Sequence, residues 1–439
     1  MTRFFLAIVI AFVAALPARA EVKIEEVVSP GGITAWLVRE PSIPFMALEL
    51  RFRGGASLDA SGKRGAINLM TGLLEEGAGD LDARAFARAQ ESLAASFGYD
   101  VGDDSLAVSA RFLTENRDVA IELLRKSIIE PTFAPDALER VREQVLTGIR
   151  SDAKDPDSIA RKTFDAMTYG AHPYGSAYEG TLESVTALTR DDMIDAHAAV
   201  FARDRLYVGA VGDITPEELG PMLDRLLGEL PETGAPMPER ADVTIEGGTT
   251  VVPFDTPQSV AIFGQRGIAQ DDPDFFAANV LNRVLGAGGF ESRLMTEVRE
   301  KRGLTYGVYS YLVPQDYAET IQGQVASAND RIAEAVTVIH DQWALAAAEG
   351  VTQEELDAAK TYITGAYPLR FDGNGPIARI MVGMQMLGLP IDYIATRNEK
   401  VEAVTLEDVR RVAAELLDPE QLHFVVVGQP VGLESSVAN

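Results

Sequence analysis

Two stretches near the ends of the two halves of this chain read alike. LTRDDMIDAHAAVFARDRLYVGAVGDITPEEL (188–219) and VTLEDVRRVAAELLDPEQLHFVVVGQPVGL (404–433) both start from a threonine and an acidic pair. Each then runs through a helical pattern and a charged turn to an apolar strand ending in Val-Gly. Gly212 and Gly428 are 216 residues apart. Earlier, FAPDALERVREQVLTGI (133–149) resembles GVTQEELDAAKTYITGA (350–366), with Gly148 and Gly365 217 residues apart. Earlier still, ALELRFRGGA (47–56) resembles SVAIFGQRGIA (259–269), with Gly54 and Gly267 213 residues apart. A near-constant offset across three segments makes the chain two copies of one domain of roughly 210 residues. Its 439 residues are in any case too many for one ordinary core.

Each copy mixes strands and helices. ITAWLVRE (33–40), MALELRFRGG (46–55) and SLAVSARFL (105–113) alternate as half-buried strands do, and helical patterns occupy 115–129 and 136–153. Strands cluster and helices cluster. The expected fold is therefore α+β: two homologous α/β-sandwich domains in tandem, each an antiparallel sheet packed with helices. The stretch 230–250, LPETGAPMPERADVTIEGGTT, is rich in Pro, Gly and charge and begins without periodicity; it reads as the join. The division is 21–229 for the N-terminal domain, 230–245 for the linker and 246–439 for the C-terminal domain. Neither half has a glycine-rich phosphate loop opening a helix, which argues against a nucleotide cofactor.

Residues 1–20 read as a signal peptide. Arg3 is followed by a 13-residue apolar run, Phe4 to Leu16, then Pro17 and the small-x-small site Ala18-Arg19-Ala20. The run is too short to span a membrane well, and no second one of spanning length follows. The expectation is an exported, periplasmic protein without a stable membrane anchor. A net charge of −27 argues against nucleic acid and anionic lipid; its main expected effect is solubility, and it would also attract basic partners or peptides. There is no cysteine, which excludes disulfides, thiol catalysis and cysteine zinc sites. The four histidines, His172, His197, His340 and His423, are too far apart for a helical metal-binding pair.

Two duplicated α+β domains, a linker, HPYG (172–175) after a long helix and, above all, SRLMTEVREKRGLTYGVYSYL (292–312) resemble the M16, or pitrilysin-type, metallopeptidases over about residues 23–430. In catalytic members the resemblance implies His-x-x-Glu-His on a helix of the first domain. Two histidines one turn apart bind zinc, the glutamate is the general base, and a downstream glutamate completes the ligands. Here that helix is GAINLMTGLLEEGAG (65–79), an apolar core pattern interrupted by Asn68, Thr71 and Gly72. Those three fall on the first histidine, the base and the second histidine. The downstream ligand falls on Thr147 or, preferably, Gly148. All four groups are missing, so no metal is expected in this chain. Glu75 and Glu76 follow one turn on, but two carboxylates alone make a poor zinc site.

The second half keeps its share of the pattern. Arg299 closes a helix that ends at Gly303, and Tyr306 follows on a segment that alternates as a strand. The resemblance implies that this pair faces the zinc. The Tyr hydroxyl donates to the developing oxyanion, and Arg holds the peptide backbone. Gly288 and Gly289, in the preceding GAGGFES loop (286–292), are the candidate substrate-backbone contacts. His172 of HPYG reads as a loop residue rather than a ligand.

The resemblance then implies a non-catalytic subunit of a heteromeric zinc peptidase. Its partner would carry His-x-x-Glu-His and the zinc, and its substrates would be unfolded or short peptides. A non-enzymatic peptide-binding or scaffold subunit is the alternative.

Overall fold

The computed structural model describes residues 22–436. The predicted signal segment lies outside them. Two large sheets follow one another along the chain, beside a two-stranded ribbon of Gly77–Ala78 and Leu81–Asp82. The first contains β1 (Glu25–Val28), β2 (Thr34–Arg39), β3 (Phe45–Arg53), β4 (Ser96–Val101), β5 (Ser105–Leu113) and β6 (Leu206–Gly212), in the order β1-β2-β6-β3-β5-β4. The second contains β7 (Gly248–Pro253), β8 (Gln258–Arg266), β9 (Val308–Pro314), β10 (Glu319–Ala328) and β11 (His423–Gly428), in the order β9-β10-β8-β11-β7. Each large sheet is antiparallel except for one parallel pair, β2 with β6 and β7 with β11. In each half the last strand returns from a run of helices and inserts beside the first long strand.

The repeat recurs in local chemistry. Thr189 with Asp192, and Thr405 with Asp408, form reciprocal N-cap boxes that satisfy the free amides of the helix leading into β6 and β11. Alternation fixes the faces. Leu48, Leu50 and Phe52 of β3 point into a core roofed by helices of the first half, and Phe263, Val325 and Phe424 do the same in the second.

The opposite faces are covered by exchange. Helices named below are α1 (Ala66–Thr71), α2 (Pro135–Asp152), α3 (Pro156–Tyr169), α4 (Phe275–Asn282), α5 (Gln353–Ala366), α6 (Asn374–Met386) and α7 (Tyr393–Ala403). Helix α3, from the first half, lies on β8 and β11 of the second sheet, where Ala160 and Phe164 pack on Val260, Ile262, Val425 and Val427. Helix α6, from the second half, lies on β3 and β6, where Ala378, Met381 and Met384 pack on Trp36 and Val211. Each sheet is thus closed by a helix from the other half.

The hairpin tips also meet. The Asp316 amide, between β9 and β10, donates to the Asp104 carboxylate, between β4 and β5, at 3.2 Å. The Tyr174 hydroxyl donates to the same carboxylate and accepts the Tyr317 amide at 3.2 Å. The segment 230–245 has no regular structure but is tied down along its length. The Ala235 amide donates to Ala199, that of Ala241 to Tyr317 and that of Thr244 to Thr168, at 3.0, 2.9 and 2.9 Å.

Candidate functional site

The α1 helix is shorter than its apolar pattern suggests. It stops at Thr71, and residues 72–76 continue as tight turns in which the Leu73 amide reaches Met70 and the Glu76 amide reaches Leu73. Gly72 is a weak helix former. The Thr71 hydroxyl, buried, donates to the Ile67 carbonyl at 2.7 Å and so is spent on its own helix. Asn68 is half-buried and Gly72 is exposed. A Cβ on Gly72 would lie 3.0 Å from Val141 of α2. Gly148 sits seven residues beyond Val141, on the same face of α2, with open space around it. Gly72 meets α2 at Val141, and the four positions offer only a backbone-bonded hydroxyl, one amide and two glycines. Among the described residues no group of three or more His, Asp or Glu side chains is placed to hold a metal ion. These residues do not fit zinc. Glu76 is engaged with Arg140 of α2.

The second half presents a different picture. Gly303, at φ 60°, ends the helical segment containing Arg299 and lets the Leu304 amide reach the Val298 carbonyl at 2.9 Å. Glu297 is clamped by Lys301 at 2.6 Å and Arg302 at 2.8 Å. The Arg299 side chain has no ion pair or hydrogen bond among the described residues; its guanidinium lies over the Phe290 ring, 4.5 Å from the centroid.

Strand β9 starts at Val308, so Tyr306 stands in the loop before it and not on the strand. The reason is Thr305, whose hydroxyl donates to the Ala326 carbonyl at 2.7 Å and accepts the Gly307 amide at 3.1 Å, displacing the ladder. Leu304 and Val308 are buried on either side, and Tyr306 between them is 89 % exposed. A pinned backbone thus holds an outward-pointing phenol. No hydrogen bond joins Arg299 to Tyr306 among the described residues; the structure places them at the two ends of one turn.

Gly288 and Gly289 lie in a compact helical turn. The Ser292 hydroxyl and amide both donate to the Gly289 carbonyl, at 2.9 and 3.1 Å. A Cβ on Gly288 would fall 2.6 Å from the Arg283 carbonyl, whereas Gly289, at φ 57°, faces open space. Turns of π-helical geometry flank this loop at Arg283–Ala287 and Met295–Glu300, a feature common at functional sites. Phe290, 63 % exposed, and Tyr362, each with a guanidinium over its ring (Arg299 and Arg283 respectively), complete an aromatic patch that the sequence reading missed. No local pattern marks it, because Tyr362 comes from α5. Tyr309 and Tyr311 extend the aromatic surface along the edge strand β9, stacked 6.0 Å apart.

His172 accepts the Tyr174 amide at 3.2 Å and pairs its other ring nitrogen with the Glu239 carbonyl of the linker at 3.1 Å. Burial pulls its pKa down. Its role is to hold loop and linker together.

Residues 187–363 match the family profile described as the peptidase M16 inactive domain. The fold matches the crystal structure of a peptidase M16 inactive domain from Pseudomonas fluorescens with a TM-score of 0.88 and 28 % identity, covering 94 % of this chain and 99 % of that one. Over nearly its whole length the chain is similar to proteins of the M16 peptidase family. A non-peptidase homologue from Helicobacter pylori, YmxG, is 28 % identical over 386 residues, which is 88 % of this chain and 89 % of that protein. An uncharacterized zinc protease of Mycobacterium leprae is 26 % identical over 395 residues, 89 % of this chain and 88 % of that protein.

Both the matching profile and the Pseudomonas crystal structure are described as M16 inactive domains. Among the described residues no helix is long and apolar enough to cross a membrane.

Proposed function

We propose that this M16 chain is the non-catalytic subunit of an exported heteromeric zinc peptidase, supplying Arg299 and Tyr306 in trans to a partner that carries His-x-x-Glu-His and the zinc. One observation carries the reading. Tyr306 is almost wholly exposed on a backbone fixed at both ends, beside an arginine with no counter-charge of its own. An exposed phenol so rigidly presented has its hydrogen-bonding capacity left for something outside the chain. A phenol donating to an oxyanion and a guanidinium holding a peptide carbonyl are the two functions those groups serve. Gly289 and the edge strand β9 would lie along an extended peptide, which adds to a sheet edge through its backbone.

The test is co-purification from the native host followed by a peptide hydrolysis assay. A His-x-x-Glu-His chain should accompany this one, activity should need both, and Tyr306→Phe should lower the rate on the order of 10²-fold with the complex intact. A scaffold or peptide-binding role without hydrolysis is the second reading, favoured by the name of the Helicobacter relative. It takes over if no such chain accompanies this one, or if Tyr306→Phe leaves the rate unchanged.

A further inference from the structure

A cavity of about 700 Å³ opens where α6 leaves the helices of the second half to cross onto the first sheet. Phe275 and Phe276 of α4 and Ile380 and Met384 of α6 give it apolar walls. Three guanidinium groups line it as well, Arg370, Arg379 and Arg397, and no carboxylate does. In a chain with 66 acidic and 39 basic residues, three arginines around one cavity without a single acid is a marked local inversion of charge.

No carboxylate pairs directly with these cations among the described residues, although Glu49 of β3 lies near enough to interact with the charge of Arg379. Neither Arg370 nor Arg379 has an ion pair or hydrogen bond among the described residues, and both are exposed to the cavity mouth. Arg397, half-buried on α7, lies over the Tyr367 ring, 4.4 Å from its centroid, and donates to the Ile363 carbonyl at 3.2 Å and the Asn398 side chain at 3.1 Å. All of its partners are neutral. Burial is the main influence working against its charge, and the neighbouring Arg370 adds to it. Like charges facing one space repel, and for the half-buried Arg397 an anion joining them would relieve both that repulsion and its loss of water.

We propose that this cavity binds the C-terminal carboxylate of a peptide whose last side chain is apolar. Planar guanidinium forks match a carboxylate in paired hydrogen bonds. The aromatic and aliphatic walls take the side chain, and the volume is that of an ordinary ligand pocket. A basic pocket inside an acidic surface also selects: the overall field repels free anions, and only one with an apolar body gains enough from the walls to enter. The site stands apart from Arg299 and Tyr306 and needs no zinc partner, so its test is independent of the proposed function.

Calorimetry on the purified chain decides it, with an acetylated alanine-rich pentapeptide ending in leucine as the free acid, its C-terminal amide, and inorganic phosphate. The free acid should bind, the amide at least about tenfold more weakly, and phosphate weakly or not at all; affinity should fall with added salt. The double variant R370Q/R379Q, changed at two exposed positions, should keep its thermal midpoint and lose at least about tenfold in affinity for the free acid. Equal binding of acid and amide, an unaffected double variant, or absence of binding by the free acid overturns the proposal. Phosphate binding as tight as the free acid assigns the site to inorganic oxyanions and overturns the peptide reading.

Discussion

Gly209 of β6 lies so close under α6 that a Cβ on it would stand 2.7 Å from the Ala378 carbonyl oxygen. Only a glycine lets the backbone of the second half's helix settle onto the first half's sheet at that distance. The same device recurs at Gly264 of β8, where a Cβ would meet the Phe164 ring of α3 at 2.7 Å. Gly209→Val should therefore lift α6 off its sheet and destabilise the chain by about 1–3 kcal/mol, as overpacking does. Denaturant unfolding measures it. A midpoint within error of wild type would show that the contact relaxes freely.

Phe164 is fully buried between α3 and the second sheet. Phe164→Ala should cost about 3–5 kcal/mol through lost burial and the cavity left behind. The loss should appear in the melting of the second half as much as the first, since the residue belongs by sequence to one and by packing to the other. Hydrogen exchange would resolve this. Selective deprotection of the first half alone would contradict the exchanged packing.

Phe290 holds the Arg299 guanidinium by its ring face. If the pair acts in trans, Phe290→Ala should lower kcat/KM of the two-chain assembly about tenfold by freeing Arg299, while leaving Tyr306 in place. This is a positioning effect, so Phe290→Tyr should restore most of the rate. Loss in both variants alike would mean that Phe290 touches the partner instead.

Asp165 of α3 titrates at about 7, raised by burial and by the nearby Asp103. An ordinary aspartate titrates near 3.8. The native state therefore binds this proton more tightly than the unfolded chain. The stability it contributes is full below 3.8 and lost as pH rises to about 7. Asp165→Asn removes that loss, and its thermal midpoint should exceed wild type more at pH 8 than at pH 5. The buried His172, His197 and His423 are shifted down and act in the opposite sense, so the difference between variant and parent is the quantity to read. A pH-independent difference would remove Asp165 from the account.

Most of the architecture was legible because it is local and repeated. Alternation in SLAVSARFL placed a strand over Ser105–Leu113, and the strands of the second half follow at the same spacing. The exchanged helices were not legible. Ala160 and Phe164 mark an apolar helix face, but nothing in their spacing says which sheet that face will meet. At the site, Asn68, Thr71, Gly72 and Gly148 were picked out only through the family resemblance and not by any local pattern. The place of Tyr306 could not be read, because Thr305 takes up a carbonyl from β10 that sequence periodicity does not see. Arg370, Arg379 and Arg397 come from three separate segments, and only the fold brings them to one cavity.

The crossing of α3 and α6 bears on how such a chain can change over time. A duplicated protein whose copies fold separately can exchange, lose or replace one copy as a unit. Here each copy ends unfinished and is completed by its sister, so Gly209 answers to Ala378, and Gly264 to Phe164. Divergence must proceed in matched pairs across the duplication, and a graft of one half from a relative would fit only if it brought both sides of each crossing with it.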